Sequence, residues 1–239
     1  VHEGSTSINY CYRNCSAGTY GPLGDTKTNE CIPCFEGTYS SVSSFKCETC
    51  APGKYAGSKS SFTHCQPCAV GKYENEGNCE SCEAGTYGSL PKQTSCVLCP
   101  TGTYSTAVGA KSRDTCLECP LKHYNSFPGA TQCSECPPGQ QCNTTGLRTG
   151  YDCPSGTYAL SRGSERCSAC PAGRYQSFQG EAQCAACPDG KFNQHERSIS
   201  FDDCEDCPAG KSASMNGSSQ CLQCGKDTYS DEIRQSVCK

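Results

Sequence analysis

The sequence predicts small disulfide-rich repeats stacked into an elongated, quasi-one-dimensional rod of short two-stranded β-ribbons with almost no helix. Three observations predict it: a very high cysteine content, a shortage of apolar residues, and a recurring register of Cys, Gly and aromatic residues. Of 239 residues, 27 are Cys and 34% are hydrophobic, with no Trp, one Met and a mean hydropathy of -0.62. That is too little apolar material for a single core of this size. Cysteine at this density makes a disulfide scaffold the default, and disulfides persist in an oxidising compartment.

The address this implies is extracellular or at the cell surface. Asn-x-Ser/Thr acceptors stand at Asn14, Asn143 and Asn216. N-linked glycans are therefore expected, and O-linked ones are compatible with the abundant Ser and Thr. Cys15 lies inside the first acceptor, which makes Asn143 and Asn216 the better sites. No apolar run is long enough to span a bilayer. The opening VHEGSTSINY lacks the form of a signal peptide, so a mature product or part of a longer chain is expected. Net charge is -4 with the 20 basic residues scattered, which excludes the cationic stripe that nucleic-acid binding needs.

Thirteen repeat units open at Cys15, Cys34, Cys50, Cys68, Cys82, Cys99, Cys119, Cys136, Cys153, Cys170, Cys187, Cys207 and Cys224. Counted from the opening Cys, the third place is Gly in eleven units, with Lys122 and Asp227 as exceptions. The fifth place is aromatic in eleven, at Tyr20, Tyr39, Tyr55, Tyr73, Tyr87, Tyr104, Tyr124, Tyr158, Tyr175, Phe192 and Tyr229, while Gln141 and Ser212 depart from the pattern. Gly tolerates positive φ and suits a tight turn into a short strand, and the Pro of CPTG and CPAG pre-sets that turn. The Tyr then begins the strand, its ring covering the neighbouring disulfide and its hydroxyl left wet.

Register also predicts connectivity. Pairing each opening Cys with the first Cys of the following pair gives Cys15–Cys31, Cys34–Cys47, Cys50–Cys65, Cys68–Cys79, Cys82–Cys96, Cys99–Cys116 and Cys119–Cys133. It continues with Cys136–Cys142, Cys153–Cys167, Cys170–Cys184, Cys187–Cys204, Cys207–Cys221 and Cys224–Cys238. A bridge closing roughly 15 residues is worth about 3 kcal/mol in the chain-entropy model, though thirteen do not simply add. Units with so little core must also lean on their neighbours, which makes the array quasi-one-dimensional.

Cys11 alone is left over, and upstream sequence or another chain is its expected partner. Residues 1–14 form an N-terminal segment in which Asn9, Tyr10 and Tyr12 alternate like a strand that adds to a neighbour's ribbon edge. Residues 15–142 hold eight repeats and 153–238 hold five. Between them, at CPPGQQCNTTGLRTGYDCPSGTY, the bridge closes after five intervening residues, so 143–152 is the expected connection or bend.

At this point a resemblance emerges. CPTGTYSTAVGAKSRDTCLEC and CPAGRYQSFQGEAQCAAC resemble GCC2/GCC3 repeats, also called ephrin-receptor-like cysteine-rich repeats, similar in turn to the first module of tumour-necrosis-factor-receptor cysteine-rich domains. The likeness covers nearly all of 15–238. The short CPPGQQC followed by a spacer and CPSGTY resembles a family variant in which an aromatic stands at the place of Gln141. The resemblance implies a secreted or cell-surface rod, as in modular ectodomains, protist surface proteins and extracellular fibres, and no reaction. Receptor-type domains also carry a second module with interleaved bridges. The unbroken run of the simple module here weighs against a ligand receptor.

Competing chemistries fare poorly. Cys31/Cys34 with Cys47/Cys50, or Cys116/Cys119 with Cys133/Cys136, have the spacing of four-thiolate zinc sites. The unbroken series, the sequons and the Gly-x-Tyr register all favour bridges, so no metal site is expected. Thiol redox catalysis needs one low-pKa thiolate at a helix start, and no helical pattern follows any CxxC. His2, His64, His123 and His195 fall in unrelated repeat phases and read as solvated loop residues, so no catalytic residue is expected. The cluster Asp202, Asp203, Glu205 and Asp206 matches no calcium loop and reads as a charged turn.

The expected function is that of an extracellular structural glycoprotein, a stalk or fibre subunit without enzymatic activity, cofactor or membrane span. Its expected partner is a copy of itself or a longer parent chain. The alternative is a receptor ectodomain or surface antigen that binds a protein ligand through loops such as Ser198 to Phe201 and Leu147 to Tyr151, where apolar side chains concentrate.

Overall fold

The computed structural model describes residues 15–21, 30–57 and 63–239. Cys11, the Asn14 acceptor, His2 and the rest of segment 1–14 lie outside the described residues. Among the described residues are twelve two-stranded antiparallel ribbons and two single-turn 3-10 helices, Arg113–Thr115 and Phe201–Asp203. These are the small, almost helix-free, disulfide-rich repeats that the sequence predicts.

All but one of the ribbons are built from two short stretches whose identity explains the CxxC spacing. The fourth and fifth places of a repeat pair with the two residues inside the next CxxC, as in Thr103↔Glu118 with Tyr104↔Leu117, or Arg174↔Ala186 with Tyr175↔Ala185. The CxxC pair is thus a two-residue strand with a different bridge at each end. Thirteen bridges join each opening Cys to its own repeat's closing Cys. Their Cα separations run from 5.5 Å in Cys68–Cys79 to 6.1 Å in Cys136–Cys142.

The turn into the ribbon is closed by its own backbone. The fourth-place N–H donates to the first-place carbonyl, at 3.2 Å from Thr103 to Pro100 and 3.0 Å from Thr157 to Pro154. Where the fourth place is Thr, its hydroxyl donates to the same carbonyl, for example at 2.6 Å in Thr157. The third place, residue i+2 of this turn, lies at positive φ in all thirteen repeats, from 65° at Asp227 to 87° at Gly18. Positive φ at i+2 is the mark of a type II turn and the reason for Gly. Lys122 keeps the same conformation at 71° without being Gly. The Pro of CPTG stands at position i and supplies the accepting carbonyl. It does not set φ at i+1, because the turn begins at Pro itself, one residue after Cys.

The buried core consists of sulfur and small side chains. Opening cysteines from Cys68 to Cys207 are 0% exposed. Around them lie sixth-place residues, Ser40, Ala56, Ser105, Asn125, Ala159, Gln176, Asn193, Ala213 and Ser230, all buried. The buried amides are satisfied, as burial demands: Asn125 Nδ2 donates to the Thr103 and Phe127 carbonyls at 2.8 Å, and Gln176 Nε2 to the Gln183 carbonyl at 2.7 Å.

The chain divides into two compact units. Among the described residues, one comprises those from 15 to 99 with 105–116, the other 100–104 with 117–239. In the first, the ribbon Lys72–Asn75/Asn78–Ser81 is a hairpin turning at Glu76 and Gly77, both at positive φ, which suits the twist of the strands. Its tip packs on Gly37, and Asn78 Nδ2 donates to Glu36 Oε2 at 2.8 Å. In the second, Gln140–Gln141 pairs with Tyr151–Asp152, and Gly150 occupies the place that a closing Cys takes elsewhere. Cys142 instead fills the sixth place and closes the bridge from there, buried with Cys136 and Leu147 against Tyr124.

Candidate functional site

The feature built with most regularity is the junction between successive repeats, and it is made of backbone. A third-place N–H donates to the sixth-place carbonyl of the next repeat, at 2.8 Å for Gly85 to Ser105, Gly139 to Ala159 and Gly190 to Ala213. A sixth-place N–H donates to the eleventh-place carbonyl of the next repeat, at 2.9 Å for Gly88 to Ala110 and 3.0 Å for Gln176 to Ser198. The tenth-place N–H of that next repeat returns to the opening Cys carbonyl, at 2.7 Å for Gly109 to Cys82 and 2.9 Å for Gly180 to Cys153. Tenth-place residues adopt positive φ, including Arg197 at 60° and Arg234 at 63°.

The third-place Gly has a second duty. The carbonyl of the tenth-place residue two repeats further on lies against it, Gly146 on Gly102, Arg197 on Gly156 and Gly217 on Gly173, so close that a Cβ would collide. In the sequence, the Gly three places after Cys signals only a turn, and the sixth place shows no single recurring residue type. A run of Ser, Ala, Asn and Gln at the sixth place was the available signal, but a tolerance for several small residues is harder to see than one recurring type.

Of the predicted glycan acceptors, Asn143 and Asn216 lie in exposed loop positions. Asn143 follows Cys142, and Asn216 sits in a turn where its Oδ1 accepts from the Asp189 N–H at 2.9 Å. The loop candidates for protein binding are only partly available. Leu147 is 8% exposed and Ser198 is 7% exposed and bonded to Asn193 Nδ2 at 2.7 Å, so Ile199, Phe201 and Tyr151 are the large apolar side chains that those loops present. A set missed in the sequence recurs at the seventh to ninth places: Val42, Leu90 and Val108 in the first unit, and Phe127, Leu160, Phe178, Met215 and Ile233 in the second. Phe127 is 76% and Met215 74% exposed.

Charged groups serve local structure. Asp203 accepts from the Ile199 and Ser200 N–H groups at 3.0 Å and completes a capping box with Ser200. Asp206 pairs with Lys191 at 2.8 Å, and Lys191 Nζ also lies 5.4 Å from the Phe201 ring centroid. The cross-strand hydrogen bond to Glu48 holds the Tyr39 phenol above its ordinary 10.0, and Glu80 does the same to Tyr73. His64 contacts Thr63 and His123 contacts the Leu121 carbonyl, each at 3.0 Å. His195 is exposed, and the three lie in different repeats. Among the described residues no three His, Cys, Asp or Glu converge as metal ligands, and no helix is long and apolar enough to cross a membrane.

The surface of the described residues includes two open grooves, one of about 690 Å³ lined by Glu36, Tyr55, Gln66, Lys72 and Asn78, the other of about 330 Å³ lined by Tyr158, Leu160, Pro171 and Arg174. Residues 71–116 and 156–204 match the family model described as tyrosine-protein kinase ephrin type A/B receptor-like. Each match runs from a third-place Gly to the closing Cys two repeats later. No curated protein sequence matches the chain.

Proposed function

We propose that the chain, two segments of which match the ephrin-receptor-like family model, is an extracellular structural glycoprotein, a stalk or a fibre subunit without a catalytic step. The carrying observation is the junction. Its three hydrogen bonds run between main-chain groups fixed by register, so they join repeats of differing sequence alike. A module whose recurring geometry is spent on joining to its neighbour is suited to setting distance or bearing load. The exposed acceptors Asn143 and Asn216 are the proposed glycan sites, and self-association is the proposed partnership.

The family match and the exposed apolar residues at the seventh to ninth places favour a second reading, a receptor-type ectodomain that engages a protein through those loops. Electron microscopy of native material separates the two. End-to-end filaments or a stalk continuous with a larger body support the first reading. Discrete molecules that show no end-to-end association overturn it and leave the second.

A further inference from the structure

Asn216 and Gly217 form the one Asn-Gly pair of the sequence. In such a pair the glycine nitrogen, unshielded by a neighbouring Cβ, can reach the preceding side-chain carbonyl carbon. We infer that Asn216 is a deamidation site whose reactivity is held down by the repeat junction. In the step itself, the Gly217 nitrogen bonds to Asn216 Cγ and the Cγ–Nδ2 bond breaks. The backbone proton leaves with the amide as ammonia, and a succinimide remains for water to open to aspartate or isoaspartate.

The structure favours this reaction in one respect and opposes it in two. Asn216 is exposed, and its Oδ1 already accepts from the Asp189 N–H at 2.9 Å, which draws electron density from Cγ. Against that, the Gly217 N–H donates to the Cys187 carbonyl at 2.7 Å, the tenth-place bond of this junction. The Gly217 backbone is also held at φ 81° with its carbonyl packed on Gly173. The nitrogen can neither lose its proton nor turn towards Cγ until the junction opens, so deamidation follows local opening. An isoaspartate would add a carbon to the main chain between positions 216 and 217. That moves Gly217 off both Cys187 and Gly173, and the open junction becomes permanent. A glycan on Nδ2, where the proposed glycosylation places it, would close this route by occupying the leaving nitrogen.

The test uses the Ser218→Ala variant, which removes the acceptor and keeps Asn-Gly. The variant is incubated at neutral pH with its bridges intact or reduced and alkylated, and peptide mapping follows aspartate and isoaspartate at position 216. Release of one backbone hydrogen bond should make the reduced chain react about tenfold faster or more. Equal rates in the two states would overturn the protection, and an unreactive reduced chain would overturn the site. Because Ser218 Oγ donates to the Met215 carbonyl at 2.6 Å, the same comparison is run on unmutated protein made without glycans. A native protein that carries no glycan at Asn216 would count against the glycosylation proposal while leaving the deamidation result intact.

Discussion

Gly173 and Gly210 hold the same place in their repeats, yet replacing them should have unequal consequences. Both lie at positive φ, 84° and 82°, so either Ala variant meets the left-handed penalty of about 1–2 kcal/mol. A Cβ on Gly210 meets nothing within 4 Å, whereas on Gly173 it strikes the Gly217 carbonyl. Gly210→Ala should therefore lose only the conformational penalty. Gly173→Ala should add the cost of an overpacked contact and reach about 3 kcal/mol or more. Amide exchange at the neighbouring junctions, with bridges intact, reads the difference, and equal losses would show that the close approach is immaterial. The turn half of this was legible in the sequence, since Gly three places after Cys is a local signal. The approach from two repeats away was not, because it joins residues as distant as Gly173 and Gly217 through backbone atoms that leave no side-chain signature.

A repeat tolerates exchange of parts when geometry is kept. Lys122 shows this in the turn, adopting φ 71° where Gly is usual. Cys142 shows it in the bridge. The short CPPGQQC spacing was legible as an interruption, but its cause was not, because the sixth place had no assigned meaning until the fold revealed it as a buried one. There Cys142 takes the position of a small core residue, and Gly150 stands three residues before Cys153 where a closing Cys belongs. A Cβ on Gly150 would lie 2.8 Å from Cys136 Sγ, near the spacing of bonded cysteines. The double variant Cys142→Ala, Gly150→Cys should therefore form a bridge between Cys136 and the thiol introduced at position 150, restoring the common repeat. Peptide mapping of unreduced protein checks it, and free thiols at both positions would show that the 143–152 segment cannot accept the usual closure.

Across the whole molecule, stability rests on bridges that differ in access more than in kind. Reduction requires a nucleophile to reach sulfur. Cys31 is exposed, while Cys136 and Cys142 are both 0% exposed, as are the opening cysteines on either side, Cys119 and Cys153. If each repeat depends only on its neighbours, as nearest-neighbour coupling in a linear array implies, limited reduction should proceed bridge by bridge in order of exposure. Pulses of reductant followed by alkylation and mass spectrometry should label Cys15 and Cys31 early and Cys136 and Cys142 late. The junction hydrogen bonds should slow each step where both flanking repeats remain closed. Simultaneous labelling of all cysteines would mean that the first opening unfolds the array as one cooperative body. The regular backbone junction would then act as a global lock, and a stalk or fibre made of this chain would fail all at once under reducing stress.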